Sequence, residues 1–393
     1  MAASPKPHVA VVGAGSFGGW TALALLGRGA RVTLFDAWGP GNSRSSSGGE
    51  SRVIRGLYGA DRLYSEWVAR SFPRWREAEA RSGIRLFHPL GCLWMCGEDD
   101  AYARASLPVL AEVGLPATEL SVAEARRRWP QIDFSGIHSL FYEDRAGYLL
   151  ARRACRVVWD VVAAQGGEVR LAAVRPGPLA EGWMTGLTLP DGTVFPADAC
   201  VFACGPWLGR LFPEEVGERI LPTRQEVFFF GPPEGDPRFD EGSCPIWMDM
   251  SGERIFYGIP GTESRGFKMA DDTRGVPIDP TADDRIPTPA RLAEAREHLA
   301  RRFPALAGAP LVESRVCQYE NTPDGQLLID RHPAAGNAWL VGGGSGHGFK
   351  LGPAVGEHVA GLVFDGASTL PPLRLAHRAP GEMLQNQFTA GRG

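Results

Sequence analysis

An α/β fold with a parallel sheet is predicted for this chain by three observations. The first is His8-Val-Ala-Val-Val-Gly13-Ala-Gly15-Ser-Phe-Gly18, an unbroken apolar run entering a glycine turn, which reads as a buried parallel strand. The second is helical spacing over 20–28, succeeded by Arg31-Val-Thr-Leu-Phe35, another apolar strand that stops at Asp36. The third is the return of strand and helix far downstream, over 150–174, 199–205 and 338–364, as though the chain rejoins one sheet after each excursion.

Each position of the opening turn fits a dinucleotide. Gly13 permits the sharp turn, Gly15 removes the side chain that would block a pyrophosphate, and Gly18 lets helix and strand approach. The pyrophosphate would meet unpaired N–H groups and the positive dipole end at the helix N-terminus. Asp36 stands where a carboxylate accepts hydrogen bonds from an adenosine ribose, and an acid there favours FAD or NAD over NADP. A GxGxxG alone also serves plain backbone geometry. Here the strand before it, the helix after it and the acid on the next strand occur together.

The length of 393 residues suits two domains, interleaved rather than sequential. Charged residues make up 22% with a net charge of −4, which supplies no basic field for nucleic acid or an anionic membrane. No apolar run reaches the length of a membrane span, and no basic-then-apolar leader precedes Val9, so a cytoplasmic protein is expected. Seven scattered cysteines do not form a disulfide framework, and the pairs Cys92/Cys96 and Cys200/Cys204 lack a histidine cluster, so no metal site is expected.

The small polar residues of 39–49 can lie against a ligand; on composition alone they read equally as a solvated connector. Arg52 and Arg55, three apart, would share one side of a helical turn and converge on an anion. Helices are expected over 64–83, 99–113 and 150–166, with Ser121-Val-Ala-Glu124 as a capping box and Pro289 in the first turn of a helix over 288–303. Short strands at 85–95, 226–230, 246–250 and 254–258 predict an antiparallel sheet. The expected division is a cofactor domain of 1–84, 151–219 and 315–393, with a substrate domain of 85–150 and 220–314. The tail beyond Gly366 is expected to wrap the surface.

Four motifs together resemble the monomeric sarcosine oxidase and N-methyltryptophan oxidase family of the glycine and D-amino-acid oxidase superfamily. They are the Val12-Gly-Ala-Gly-Ser-Phe-Gly18 turn, Ser51-Arg-Val-Ile-Arg55, Cys317-Gln-Tyr-Glu-Asn-Thr-Pro-Asp324 and Gly344-Ser-Gly-His-Gly-Phe-Lys350. The resemblance extends to about residue 365. It implies a Rossmann-type FAD-binding domain, a discontinuous α+β substrate domain built on an antiparallel sheet, and oxidation of an amino-acid C–N bond. By the same resemblance Cys317 is the covalent attachment point of FAD, Arg55 and Lys350 hold a substrate carboxylate, Tyr257 faces the substrate and Lys268 activates O2. It places Ser16, Phe17, Ser46, Ser51, Arg52, Val174, Gly205 and Trp207 around FAD, together with Gly344, Gly346, His347, Gly348, Phe349 and Lys350. Arg52 joins Lys268 and Tyr257 in the catalytic set. The chemistry of these residue types agrees. Backbone N–H groups over 344–348 suit negative charge on a reduced flavin, and a fork donor with a point charge suits a carboxylate.

Three positions depart from the family. Asp272 and Gly48 stand where the sarcosine pocket has histidines, and Glu320 replaces a threonine. Asp272 and Gly48 predict a substrate larger than sarcosine, with Asp272 reaching a distal polar group, while Glu320 bears on the flavin linkage. A neighbouring cation, Lys268 or Arg265, and a solvated loop position are the competing placements for Asp272. The expected activity is that of an FAD-dependent oxidase: hydride leaves the carbon next to nitrogen, water hydrolyses the imine, and O2 becomes H2O2. Alternatives are a deglycating oxidase, a flavin dehydrogenase with another acceptor, and a nucleotide-binding protein without catalysis.

Overall fold

The computed structural model describes residues 6–378, 383–385 and 388. The opening strand His8–Val12 is buried throughout and pairs in parallel with Arg31–Asp36 on one side and Ala199–Phe202 on the other. The six-stranded sheet runs Leu328–Arg331, Ala338–Gly342, Ala199–Phe202, His8–Val12, Arg31–Asp36, Glu168–Leu171. Only the edge strand Leu328–Arg331 is antiparallel to its neighbour. Cover on both faces explains why the central strands are buried and mostly apolar on both faces rather than alternating. The helices Ser16–Gly27 and Gly352–Asp365 pack together because Gly356 lies against the backbone of Trp20: a Cβ there would sit 2.5 Å from the Trp20 carbonyl oxygen. Ser16 Oγ donates to the Phe349 carbonyl at 2.6 Å, tying the first turn to the last.

The second sheet has eight strands in the order Leu311–Asn321, Leu221–Phe230, Phe267–Asp271, Phe256–Ile259, Ile246–Met250, Cys92–Cys96, Ser139–Glu143, Thr118–Leu120. All neighbours are antiparallel except Ile246–Met250 beside Cys92–Cys96. Helix ends obey the local chemistry. Asp61 caps Arg62–Ser82 and Gly83 closes it at φ 67°, while Ser121 and Thr288 accept backbone N–H groups at the starts of Val122–Arg128 and Pro289–Arg302. None of the described helices is long and apolar enough to cross a membrane.

Three expectations are corrected. Ser51–Ile54 is a strand paired with Gly147–Leu150, not a helical turn. Its β-branched Val53 and Ile54 favour that conformation, and Arg55 lies just beyond its end. Leu311–Asn321 is one strand within the second sheet, so it crosses the boundary expected at 315. The tail is not confined to the surface: Leu373 is buried, Arg378 pairs with Asp324 at 2.5 Å, and Phe388 packs edge-on to Trp94 and Tyr102. Residues 379–382, 386–387 and 389–393, included in the expected cofactor domain, lie outside the described residues, as do 1–5.

Candidate active site

The strand ends of the six-stranded sheet open into an elongated cavity. Gly13, Gly15, Ser16 and Phe17 border it from the opening turn, Asp36 and Ser46 from the segment after the second strand, and Val174, Gly205 and Trp207 from the far side. Gly344, Gly346, Gly348 and Phe349 close it. Gly13 has φ +101° and would drive a Cβ to 2.2 Å from the Ala203 carbonyl oxygen, so the turn admits only glycine. Gly18 does not border the cavity; a Cβ there would meet the Gly13 carbonyl oxygen at 1.8 Å, which is the close approach expected of it. Asp36 accepts from the N–H groups of Ala14, Trp38 and Gly39 at 2.8–2.9 Å. Its pKa is raised by burial against the lowering effect of those bonds. A glycine cradle at a helix N-terminus whose N-cap Gly15 carries no side chain, with a carboxylate at the end of the second strand, fits a dinucleotide.

Beside this cavity Arg52 is the junction. Its guanidinium donates to the carbonyl groups of Ser51 and Ser46, both at 2.8 Å, and lies 2.9 Å from Cys317 Sγ. Ser51 is not at the cofactor cavity. Its carbonyl and hydroxyl instead receive Lys268 Nζ at 3.0 and 3.1 Å. Lys268 is 1% exposed, and burial together with the Arg52 cation lowers its pKa to about 7.

A small chamber of about 40 Å³ adjoins the cavity, bordered by Arg52, Arg55, Tyr257, Asp272, Tyr319 and Lys350 among others. The Arg55 guanidinium lies 4.3 Å from the Tyr58 ring centroid and donates to the Leu57 carbonyl. Lys350 Nζ donates to the His347 carbonyl at 2.9 Å and lies 5.0 Å from the same ring. Burial first, then Arg55, pushes the Lys350 pKa well down. His347, like Lys350, borders the chamber rather than the cofactor cavity. The His347 Nε2 donates to the Gly325 carbonyl at 2.9 Å, which leaves Nδ1 to accept from the Tyr58 hydroxyl at 3.1 Å. Burial, then Lys350, holds this imidazole neutral.

Residues 8–362 match the family described as FAD-dependent oxidoreductase, DAO. The chain belongs to that family. The DAO chain is 31% identical over 384 residues to monomeric sarcosine oxidase of Streptomyces avermitilis, covering 95% of this chain and 99% of that protein. It is 25% identical to N-methyl-L-tryptophan oxidase of Yersinia pestis, over 92% and 95% of the two. Among solved structures, L-proline dehydrogenase from P. horikoshii shares the fold with a TM-score of 0.82 at 21% identity, covering 97% of this chain and 100% of that one. Membership makes FAD the cofactor and this chain an oxidoreductase acting on C–N bonds.

Two site expectations change. Gly48 does not open the DAO chain's chamber: its N–H bonds to the Ser45 carbonyl, and a Cβ would lie 1.9 Å from the Asn42 carbonyl oxygen. The glycine answers a turn rather than a ligand, and the size argument built on it falls. Asp272 is 8% exposed, so it is not a solvated loop residue. It pairs with neither Lys268 nor Arg265, which are held by Ser51 and Glu313; it accepts from the Tyr319 hydroxyl at 2.7 Å. Sequence reasoning overlooked Tyr58, and it overlooked Tyr319 as a chamber residue although period two from Cys317 puts it on the same face of the strand. It also missed Phe388, whose ring centroid is 5.6 Å from the Arg55 guanidinium carbon. Nothing in the tail's sequence signals that contact.

Proposed function

We propose that this protein is an oxidase of an amino acid or N-substituted amino acid, with FAD attached through Cys317 and O2 reduced to H2O2. The observation that carries this reading is the meeting of two buried basic side chains, Arg55 and Lys350, in one chamber beside the cofactor cavity, with Lys268 buried 5.9 Å from the ring centroid of the chamber residue Tyr257. Bound FAD supplies the hydride acceptor and the electrons delivered to O2. The chain's own residues do the rest. Arg55 and Lys350 receive the substrate carboxylate and, with Arg52, disfavour an ammonium, so the amine binds neutral and needs no separate base. Tyr257 and Tyr319 wall the reacting carbon's side, and Lys268 presents a fixed charge to O2. A peroxide-coupled screen of primary, N-methylated and N-glycated amino acids tests the reading. Turnover of dye without O2 consumption favours a dehydrogenase instead.

The contact of Cys317 Sγ with the guanidinium of Arg52, which borders the cofactor cavity, supports the attachment by placing the sulfur beside that cavity. Acid precipitation is expected to leave the yellow colour in the protein pellet, and Cys317→Ser to release it into the supernatant. Colour in the wild-type supernatant sinks the attachment.

Asp272, through Tyr319, is proposed to set which substrate fits rather than the rate of the chemistry. Removing its charge-assisted bond costs roughly 1.5–3 kcal/mol, so Asp272→Asn is expected to change the ratio of kcat/KM between the best substrate and sarcosine by about tenfold or more. An unchanged ratio overturns the assignment.

A further inference from the structure

Half of the Glu320 carboxyl has no partner in the cofactor cavity. The side chain leaves the strand Leu311–Asn321 toward the glycine turns that end Ala199–Phe202 and Ala338–Gly342, and is 7% exposed. Oε1 accepts from the Gly344 N–H at 3.3 Å, while the buried Oε2 has no hydrogen bond among the described residues. A Cβ on Gly344 would lie 2.8 Å from Oε1, and one on Gly205 3.0 Å from Oε2. The carboxyl therefore occupies the gap between the two turns and borders the cavity with them.

No lysine, arginine or histidine is bonded to it among the described residues. Arg52 and Arg210, the cations bordering the same cavity, are engaged elsewhere, with Cys317 and with Asp279 at 2.6 Å. The other titratable groups bordering the cavity are Asp36, Tyr319, whose hydroxyl donates to Asp272, and the Cys204 thiol, whose pKa is raised by burial, then by Asp36 and Glu320. A carboxylate buried without a cation is costly, and burial raises the Glu320 pKa to about 7. The neutral acid carries one O–H, which when buried needs an acceptor. The described residues offer none at Oε2, which leaves that role to water or to a ligand in the cavity it borders.

We propose that Glu320 is a cofactor-binding residue, held as the neutral acid and donating from Oε2 to an acceptor oxygen of bound FAD. The proposal rests on FAD as the occupant of the cavity. Loss of the proton removes the donor and sets a negative charge against an anionic ligand. Retention of FAD should therefore weaken as the pH rises through 7 and above.

The test is the dissociation constant of FAD from the full-length Cys317→Ser protein, stripped and titrated with FAD between about pH 6 and pH 9. Binding is expected to weaken by about tenfold or more across that range. In the added presence of Glu320→Gln, which keeps the shape and a permanent donor, the fall should vanish; with Glu320→Leu binding should be weak at every pH. Parallel profiles for Cys317→Ser with and without Glu320→Gln overturn the proposal. Failure of wild type and Cys317→Ser alike to take up FAD overturns the cofactor reading instead. Should Cys317→Ser not fold, melting of the two holoenzymes, wild type and Glu320→Gln, decides. A carboxyl whose folded pKa is raised loses stabilisation as the pH rises from its unfolded pKa through its folded one, so the gap in favour of Glu320→Gln must widen from about pH 5 through 7. A constant gap overturns the proposal.

Discussion

Lys268→Met is expected to slow the reaction of reduced enzyme with O2 about a hundredfold, while reduction by substrate changes only a few fold. Negative charge develops on dioxygen as it accepts an electron, and one preorganised charge in a dry site is worth on the order of 3 kcal/mol to such an anion. Lys268 is buried and held by Ser51 beside Arg52. Its pKa, lowered to about 7, gives the pH dependence a sign. The charge is present below that value and lost above it, so the oxygen reaction of the wild type should slow as the pH rises through 7. The methionine variant should lack that step. Stopped-flow traces of the two half-reactions over pH would show both effects, and an equal loss in both half-reactions would refute the role.

The second large effect concerns the carboxylate clamp. Arg55 and Lys350 border the same small chamber, each within 5.0 Å of the Tyr58 ring centroid. Loss of either should weaken substrate binding by roughly 1.5–3 kcal/mol per hydrogen bond removed, on the order of ten- to a hundredfold in kcat/KM. Lysine in place of Arg55 should recover little, because a point charge cannot reproduce the fork. The methyl ester of a good substrate should be as poor for the wild type as its free acid is for the Arg55→Met variant. An ester turned over as well as the acid would exclude the clamp.

The opening of the chain was legible because each position there answers one physical demand. Gly13 must adopt positive φ, Gly18 must let the turn approach, and Asp36 must end its strand, and the structure meets all three. Arg52 and Arg55 were misread because spacing was weighed above the β-branched pair between them. The strand Leu311–Asn321 was hidden by Glu313, Arg315 and Glu320, whose charges obscure the period of two because Glu313 and Arg315 pair with Arg265 and Glu50 while Glu320 faces the cofactor cavity. Gly48 misled for a different reason: a missing side chain suggests room for a ligand, whereas the Asn42 carbonyl already occupies that room. Phe388 reaches its place through long-range packing in a tail without periodicity, and local reading has no access to that.

The bond from Ser16 to Phe349 joins residues at opposite ends of the chain, and the opening strand completes its sheet only with Ala199–Phe202 and Ala338–Gly342. Synthesis runs from the N-terminus, so the glycine turn emerges first and waits for nearly the whole protein before anything closes over it. FAD capture is thereby expected only once the chain has been made to about residue 350. Until then the growing chain carries an unfinished apolar sheet with an open edge, the kind of surface on which nascent proteins self-associate. A ribosome stalled anywhere before residue 338 leaves a product that can neither load the cofactor nor hide that edge. For this fold, completion of translation and acquisition of colour should coincide, and chaperone dependence should be greatest in the interval just before both.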